Sequence, residues 1–207
     1  MLRIALTKGR LEKEAVALMA RAGYDTEALA DKGRRLILPV GDDIEVLLAK
    51  APDVITYVIH GVCDMGIVGK DTIMEYGGSF YEVLDLGFGK CRFALAVPKG
   101  TDFYADGIGH RLASKYPNVT RDYFARKGMD VGIIKIEGSV ELAPLVGLAD
   151  GIIDIVETGT TLKENGLEAI EDVADLSARL IVNTAAMKLK YPAIEAFIDR
   201  VSQEVGQ

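Results

Sequence analysis

Short apolar segments typical of β-strands alternate with amphipathic segments typical of helices along most of the chain. The first strand pattern runs from Leu2 to Thr7, and a helical stripe of apolar residues follows it from Leu11 to Ala22. The later strand patterns cover residues 35–39, 44–48, 63–69, 93–98, 111–114, 131–136, 151–156 and 178–183, and the later helix patterns cover residues 52–59, 120–127, 140–149 and the segment from Pro192. This alternation predicts an α/β fold of parallel strands joined by right-handed crossovers.

The segment Gly87-Phe88-Gly89-Lys90 interrupts this alternation with the glycine content of a hinge. A chain of 207 residues is long enough for two compact lobes but not for two large domains. We therefore predict two lobes with a hinge and a central cleft. Lobe I comprises residues 1–89 and 179–207, and lobe II comprises residues 90–178.

The composition excludes several classes of protein. Hydrophobic residues make up 49% of the chain and charged residues 27%, which is the balance of a globular protein rather than of a disordered or fibrous one. The net charge is −7, with 24 basic against 31 acidic residues, so the chain offers no basic surface for a nucleic acid and must hold any anionic ligand with local groups. No secretion signal and no apolar run of membrane-spanning length is visible, which predicts a cytoplasmic protein without a membrane partner.

The segment from Asp154 to Leu162, DIVETGTTL, has the features of a phosphate-binding turn. Such a turn exposes several backbone N–H groups, and neighbouring threonine hydroxyls can complete the contacts to a phosphate. Gly159 lets the backbone approach an anion closely because it has no Cβ. A carboxylate at Asp154 or Glu157 repels a phosphate but suits the sugar hydroxyls beside it, since these are donors. On spacing alone, a strand followed by a threonine-capped helix explains the segment equally well.

The longer segment from Glu141 to Leu162, ELAPLVGLADGIIDIVETGTTL, resembles the signature of the ATP phosphoribosyltransferases. The similarity extends to TKGRL at residues 7–11, to GVCDMGIVGKD at residues 61–71 and to DLGFGKCRFALAVP at residues 85–98, so it covers essentially the whole chain. One departure is Thr7, a position where the family often has proline. Because the sequence stops at Gln207, before the histidine-binding C-terminal domain of the long form, we expect the short-form catalytic subunit.

The resemblance implies a fold like that of the type II periplasmic binding proteins, with a phosphoribosyl pyrophosphate loop in lobe II. It implies a glycosyltransferase that joins N1 of ATP to C1 of phosphoribosyl pyrophosphate and releases pyrophosphate, in the first step of histidine biosynthesis. Mg²⁺ is the expected cofactor because phosphate oxygens suit a hard cation, and no direct protein ligand to the metal is expected. The implied partner is a regulatory subunit resembling histidyl-tRNA synthetase, which binds a homodimer of this chain in a hetero-oligomer.

The basic candidate residues lie in the first half of the chain. Lys8 and Arg10 are predicted to contact the polyphosphates as catalytic residues, because ligands collect at the turns that follow strands in open α/β sheets. Lys50 is a further candidate for the same contact, and Arg34 or Arg35 can add a bidentate one. Ordinary surface or strand-entry roles explain these last three residues as well.

The remaining candidates follow from the resemblance. Asp154 is implied as a catalytic residue beside the ribose hydroxyls. Adenine N1 already carries a lone pair, so no strong general base is nominated. The implied substrate-binding residues are Asp64, Gly66, Gly69, Asp71, Glu141, Glu157, Thr158, Gly159, Thr160 and Thr161.

Two other functions fit a two-lobed α/β chain, because a fold does not fix a function. A solute-binding protein has this design, but it normally carries a secretion signal, which this sequence lacks. The effector-binding domain of a transcription regulator has it too, but a helix-turn-helix segment should accompany that domain, and none fits this sequence.

Overall fold

The computed structural model describes residues 1–105 and 109–205. Eleven strands lie in this part of the chain: β1 Leu2–Thr7, β2 Ile37–Val40, β3 Ile44–Ala49, β4 Met65–Gly69, β5 Phe80–Asp85, β6 Cys91–Pro98, β7 Arg111–Ser114, β8 Gly132–Lys135, β9 Gly151–Val156, β10 Leu167–Leu176 and β11 Ala178–Asn183. The helices of the same residues are α1 Arg10–Arg21, α2 Glu27–Ala30, α3 Ala51–Ile59, α4 Lys70–Tyr76, α5 Pro117–Arg126, α6 Leu142–Leu145, α7 Thr160–Glu164, α8 Thr184–Leu189 and α9 Tyr191–Ser202. The predicted α/β class is confirmed.

The chain forms two compact units. Unit 1 comprises Met1–Gly89 and Ser177–Gln207, and unit 2 comprises Lys90–Leu176. The second boundary lies two residues before the predicted one, because Ala178 already pairs with Gly69 in the sheet of unit 1. Each unit has its own sheet, with the order β2-β3-β1-β4-β11-β5 in unit 1 and β10-β6-β9-β7-β8 in unit 2.

The sheet of unit 1 is mixed rather than entirely parallel, so the sequence prediction is wrong on this point. Strand β1 runs parallel to β3 and β4, whereas β2, β11 and β5 are antiparallel to their neighbours. The short turn at residues 41–43, with Gly41 at a φ of +59°, joins β2 to β3. So short a connection permits only antiparallel pairing, because a parallel crossover needs a dozen or more residues.

Helix α1 covers one face of this sheet because its apolar residues recur at helical spacing. Ala15, Leu18 and Met19 are buried, and they pack in one cluster with Ile4 and Leu6 of β1. Helix α3 covers the other face, where Val54, Ile55 and Val58 pack against Ala5, Val68 and Ile181. Burial on both faces explains why Ile4, Ala5 and Leu6 form a continuous apolar run in β1 instead of alternating with polar residues.

The sheet of unit 2 is mixed as well. Strand β9 is parallel to β7 but antiparallel to β6, and β10 forms the edge beyond β6. The helix predicted over residues 140–149 is much shorter than expected and spans only Leu142–Leu145. Proline is tolerated in the first turn of a helix, so Pro144 fits there, but Gly147 has a φ of +72° and the helical path does not continue.

Parallel pairing places several strand ends side by side. In unit 1 Thr7 pairs with Ala49, and β4 ends at Gly69 next to them, so three carboxyl ends share one edge of the sheet. In unit 2 Ser114 pairs with Ile153 in parallel register, so β7 and β9 also end at a common edge. In α/β proteins, ligands bind at such edges. Within the described residues, no helix is both long enough and apolar enough to cross a membrane.

Candidate functional site

The predicted phosphate turn lies between β9 and α7 in unit 2. Ile152, Ile153 and Val156 anchor the strand in the core, and Leu162 anchors the helix, whereas Thr158 is exposed. The apolar residues on both sides therefore fix the ends of the turn and present its polar groups to solvent.

Gly159 is required for its backbone conformation rather than for space. Its φ is +77° and its ψ is +6°, in the left-handed region that side chains with a Cβ rarely adopt. A Cβ built on this residue meets only the Val156 side chain, at an ordinary contact distance of 3.8 Å. The sequence suggested glycine at this position because the backbone could then approach an anion closely. The structure adds that the backbone conformation itself requires glycine, whether or not a ligand is bound.

The threonine hydroxyls of the turn are close to one another. The Oγ1 atoms of Thr158 and Thr160 are 3.1 Å apart, and the backbone N–H of Thr160 donates to Thr158 Oγ1 at 3.4 Å. The backbone of Thr161 is held by Asn165, whose Nδ2 donates to the Thr161 carbonyl at 2.9 Å. The turn therefore presents hydroxyl and N–H groups on a backbone held by local hydrogen bonds.

A pocket of about 280 Å³ opens over this turn. It is lined by Glu141 and by every residue of the segment 154–162, so all of the lining belongs to unit 2. The structure brings together the following predicted site residues: Glu141, Asp154, Glu157, Thr158, Gly159, Thr160 and Thr161.

Asp154 has a raised pKa in this pocket. Its pKa is about 6 instead of 3.8, mainly because the carboxyl group is buried and to a smaller extent because of the charge of Glu141. A hydrogen bond from the backbone of Ile155 and the charge of Lys115 lower it. Asp154 is consequently ionised at neutral pH and can accept hydrogen bonds from hydroxyl groups, but it loses this state near pH 6.

The basic candidates of unit 1 follow the carboxyl edge of its sheet. Lys8 comes directly after β1, and its backbone N–H donates to the carbonyl of Ala49 at 2.8 Å. Arg10 begins α1 and lies 3.9 Å from Glu14, and Lys50 is the exposed residue after β3. Gly69 and Asp71 follow at the end of β4. Parallel pairing therefore brings Lys8, Arg10, Lys50, Gly69 and Asp71 to one edge.

Arg34 reaches the same edge for a reason that the sequence did not show. Because β2 runs antiparallel to β3, the start of β2 lies beside the end of β3, and the Leu48 N–H donates to the Leu36 carbonyl at 2.8 Å. Arg34 comes two residues before Leu36 and is exposed, whereas the Arg35 side chain donates to the Lys32 carbonyl at 3.2 Å. Of these two arginines, Arg34 is the one available for a ligand.

Asp64 and Gly66 lie away from this edge of the sheet. Asp64 precedes β4, at the amino end of the sheet, where it accepts hydrogen bonds from the backbone of Arg3 at 2.9 Å and from Lys190 Nζ at 2.8 Å. Gly66 lies inside β4, where a Cβ would come within 2.9 Å of both Val54 and Val58 side chains. Asp64 thus ties α8 and α9 to the sheet, and Gly66 lets α3 pack closely.

The structure also adds a residue that the sequence reasoning missed. Lys115 follows β7 directly, and the register of β7 with β9 places it beside Asp154. Its position directly after a predicted strand could have marked it as a candidate. The sequence does not show, however, that this strand pairs with β9. In the described ranges 1–105 and 109–205, no group of three or more His, Cys, Asp or Glu side chains could hold a metal ion.

Comparisons with known proteins match the chain to one family. The family model for ATP phosphoribosyltransferase matches residues 50–203. A relative from Clostridium kluyveri, an ATP phosphoribosyltransferase, is 56% identical over 207 residues, covering 100% of this chain and 94% of its own. An ATP phosphoribosyltransferase from Clostridium acetobutylicum is 57% identical over 205 residues, covering 99% of this chain and 95% of its own.

The fold has solved counterparts. A chain of the ATP phosphoribosyl transferase (HisG:HisZ) complex from Thermotoga maritima superposes with a TM-score of 0.85 and 34% identity, over 99% of this chain and 98% of that one. The periplasmic aliphatic sulphonate binding protein SsuA from Escherichia coli superposes with a TM-score of 0.61 at 13% identity, over 98% of this chain and 72% of that one. The second likeness shows the fold alone, and it confirms that the fold resembles that of periplasmic binding proteins, as predicted.

Proposed function

Because the chain belongs to the ATP phosphoribosyltransferase family, which carries out the first step of histidine biosynthesis, we propose that phosphoribosyl pyrophosphate binds in the pocket over residues 154–162. The enzyme is a glycosyltransferase that moves the phosphoribosyl group to N1 of ATP. Its close relatives are matched over nearly their whole length, in agreement with the expected short form.

The observation that carries the proposed binding site is the pairing of a hydroxyl-rich turn with an ionisable carboxylate. Thr158, Thr160 and Thr161 offer donors to the 5-phosphate, and the left-handed Gly159 aims the backbone of the turn toward the same pocket. Asp154 lies in the same lining and accepts from the ribose hydroxyls when it is ionised. A phosphorylated sugar needs both kinds of group side by side.

The basic residues of unit 1 are proposed to hold polyphosphate. Lys8, Arg10, Lys50 and Arg34 gather at one edge of a sheet in a chain whose net charge is −7, so they provide local positive charge where the whole molecule repels anions. Negative charge develops on the pyrophosphate as it leaves C1, and cationic side chains stabilise that charge. Gly69 and Asp71 shape the same edge.

We propose that Mg²⁺ binds together with the substrates and is not held by protein side chains alone. The described residues do not fit a protein-only metal site, because they contain no group of three His, Cys, Asp or Glu side chains that could hold an ion. Phosphate oxygens are hard ligands that suit Mg²⁺, and the bound ion would neutralise charge on the polyphosphate. Adenine N1 needs no deprotonation, so no protein base is assigned.

The quaternary proposal is a homodimer of this chain joined to a regulatory subunit resembling histidyl-tRNA synthetase, in the cytoplasm where ATP is available. It is supported by the likeness to a solved HisG:HisZ complex. Copurification of tagged chain with that subunit tests the association, and mass measurement of the complex gives its stoichiometry. Elution of the two proteins as separate species at micromolar concentration contradicts it.

Turnover is tested by mixing the chain, the regulatory subunit, ATP, phosphoribosyl pyrophosphate and Mg²⁺ and following phosphoribosyl-ATP by absorbance. Product must depend on both substrates. No product at any ratio of the two proteins contradicts the activity, and tight binding of a small solute without turnover would favour a solute-binding protein instead.

The site is tested by calorimetric binding of phosphoribosyl pyrophosphate in the presence of Mg²⁺. Thr161→Val keeps the shape of the side chain but removes its hydroxyl, and it should weaken binding about 10-fold, because one hydrogen bond to a charged group contributes about 1.5 kcal/mol. Thr101→Val is the matched control, since Thr101 is an exposed threonine of unit 2 outside the pocket lining. Equal affinity of the two variants would contradict the assigned pocket.

A further inference from the structure

The pocket over residues 154–162 has an unbalanced charge. Its lining contains three carboxylates, from Glu141, Asp154 and Glu157, and no basic side chain. Phosphoribosyl pyrophosphate is a polyanion, and the threonine hydroxyls and backbone N–H groups carry no net charge. A cation placed beside the lining would therefore be needed to offset the carboxylates.

Lys115 is placed beside this lining by the register of two parallel strands. Ser114, the last residue of β7, pairs with Ile153 of β9, and Lys115 and Asp154 are the next residues along the two chains. Ser114 and Ile153 are both buried. Asp154 points to the face opposite to Ile153, because successive side chains of a strand alternate, and Lys115 begins the turn that leaves β7 beside it.

The backbone around Lys115 is firmly held. The Ser114 hydroxyl donates to the Ile153 carbonyl at 2.6 Å, and the same oxygen accepts from the Tyr116 N–H at 2.9 Å. The Tyr116 ring packs edge-on against Phe93, with ring centroids 4.7 Å apart. Both neighbours of Lys115 are thus fixed to β9 and β6, and only its side chain is free to move.

The electrostatics of the pocket agree with this placement. The charge of Lys115 lowers the pKa of Asp154, whereas the charge of Glu141 raises it, so Lys115 is the basic group that acts on this carboxyl. Glu157 lines the same pocket as a third carboxyl group. On the facing strand, Asp154 pairs with the uncharged Ala94.

Two other cations of unit 2 are paired with carboxylates. Lys135 lies 2.8 Å from Glu137, and Arg92 lies 2.6 Å from Asp172. For Lys115 itself, the structure of residues 1–105 and 109–205 shows no hydrogen bond or ion pair, and its side chain is exposed. Its charge lowers the pKa of Glu137 as well as that of Asp154, so this ammonium group lies near two carboxylates without a hydrogen bond to either, and it is suited to an anionic ligand.

We propose that Lys115 is a substrate-binding residue whose ammonium group contacts an anionic oxygen of phosphoribosyl pyrophosphate in this pocket. Because this inference rests on the proposed function, its test must separate the two. Lys115→Met removes the charge and keeps most of the apolar stem, Lys115→Arg keeps the charge, and Lys135→Met removes an equal charge from the next strand of the sheet.

The affinity of the three variants for phosphoribosyl pyrophosphate, measured by calorimetry with Mg²⁺, is the first readout. We expect Lys115→Met to weaken binding on the order of 10-fold, Lys115→Arg to stay within about 3-fold of wild type, and Lys135→Met to bind as wild type does. Wild-type affinity in Lys115→Met overturns the inference. Equal weakening in Lys135→Met also overturns it, because the effect would then be one of net charge.

The second readout uses the protein without any substrate. The ¹³C carboxyl signal of Asp154, assigned with Asp154→Asn, reports its titration, and Lys115→Met should shift the midpoint upward from about 6 while Lys135→Met leaves it in place. An unchanged midpoint in Lys115→Met means that Lys115 does not face Asp154, and it overturns the inference. If wild-type protein binds no phosphoribosyl pyrophosphate, the proposed function itself fails, and this inference fails with it.

Discussion

The turn after β1 in unit 1 and the turn after β9 in unit 2 follow a similar course from strand to helix but contain different hydrogen-bonding groups. Each leads from a buried strand through a glycine with positive φ, Gly9 at +104° and Gly159 at +77°, into a helix. In the first turn the Gly9 N–H donates to the Glu12 carboxylate at 3.3 Å, and Glu12 is buried and paired with Lys32. In the second turn hydroxyl groups take the place of that carboxylate.

The difference shows that a glycine at the start of a helix does not by itself make a phosphate site. At α1 the anion that the helix N-terminus attracts is already part of the chain, in the form of Glu12. We therefore expect the proposed phosphate contacts near this turn to come from the Lys8 and Arg10 side chains rather than from its backbone. At α7 the threonine hydroxyls are uncharged. The backbone N–H groups of that turn are therefore not already occupied by a carboxylate of the kind that Glu12 supplies at α1.

The largest expected effect comes from Asp154→Asn, which tests whether the second turn works as a ribose site. Loss of a charged acceptor for the ribose hydroxyls should lower kcat/KM for phosphoribosyl pyrophosphate by about 100-fold, since such hydrogen bonds contribute about 1.5 to 3 kcal/mol. Steady-state kinetics measures this, with Asp172→Asn as a control because Asp172 is exposed and outside the pocket. Activity within 3-fold of wild type in Asp154→Asn would contradict the assigned role.

The same variant should be more stable than wild type. The pKa of Asp154 is about 6 in the folded chain against 3.8 in the reference state, so the folded chain holds the proton more tightly and its free energy of unfolding falls as pH rises between these values. Asp154→Asn lacks that loss and should gain about 2 to 3 kcal/mol above pH 6, with the difference shrinking toward pH 4. Urea unfolding from pH 4.5 to pH 8 gives the comparison, and a pH-independent difference would argue against the raised pKa.

Gly159→Ala tests whether the turn needs glycine for its backbone conformation or for the room that a missing side chain leaves. Alanine at positive φ should cost about 1 to 2 kcal/mol of stability, although its Cβ meets no close contact. Gly166→Ala is a matched control beyond the other end of α7, with a φ of +69° and nothing within 4 Å of the added Cβ. Both should lose similar stability in thermal unfolding, but only Gly159→Ala should weaken binding of phosphoribosyl pyrophosphate. Equal binding by the two variants would make the glycine a purely structural residue.

The smallest expected effect concerns the first turn. Glu12→Ala should lower the free energy of unfolding by about 1 kcal/mol, because it removes the acceptor that closes the start of α1. Glu14→Ala, in the same helix but more exposed, should change stability by no more than a few tenths of a kcal/mol. Chemical denaturation at pH 7 measures both. If Glu12→Ala is as mild as Glu14→Ala, the two turns are less different than their geometry indicates.

The sequence predicts the strands whose apolar runs end at clear turns. Leu2–Thr7, Arg111–Ser114, Gly151–Val156 and Ala178–Asn183 were all predicted with the bounds that the structure has. Strand β10 was missed because the acidic residues Glu168, Glu171, Asp172 and Asp175 lower its β propensity. Its two register shifts also break the alternation that marks a strand.

The lining of the candidate site could be predicted from the sequence where its residues are contiguous. The segment 154–162 lines one pocket because neighbours in a single turn must lie together. Asp64 and Gly66 share a sequence motif with Gly69, but β4 separates Asp64 from the carboxyl edge where Gly69 lies, and the motif alone does not show this separation. Lys115 was missed for the converse reason, since only the pairing of β7 with β9 brings it to Asp154.

The pairing of β10 with β6 has a consequence for protein engineering. Leu176 and Cys91, at opposite ends of the sequence of unit 2, are partners in an antiparallel ladder, so the ends of that unit lie side by side. In unit 1, the Ala178 N–H donates to the Phe88 carbonyl at 2.9 Å, and the gap left by removing unit 2 is equally narrow. Residues 90–176 therefore have the architecture of a cassette, which can be excised, circularly permuted or exchanged between relatives with a linker of a few residues.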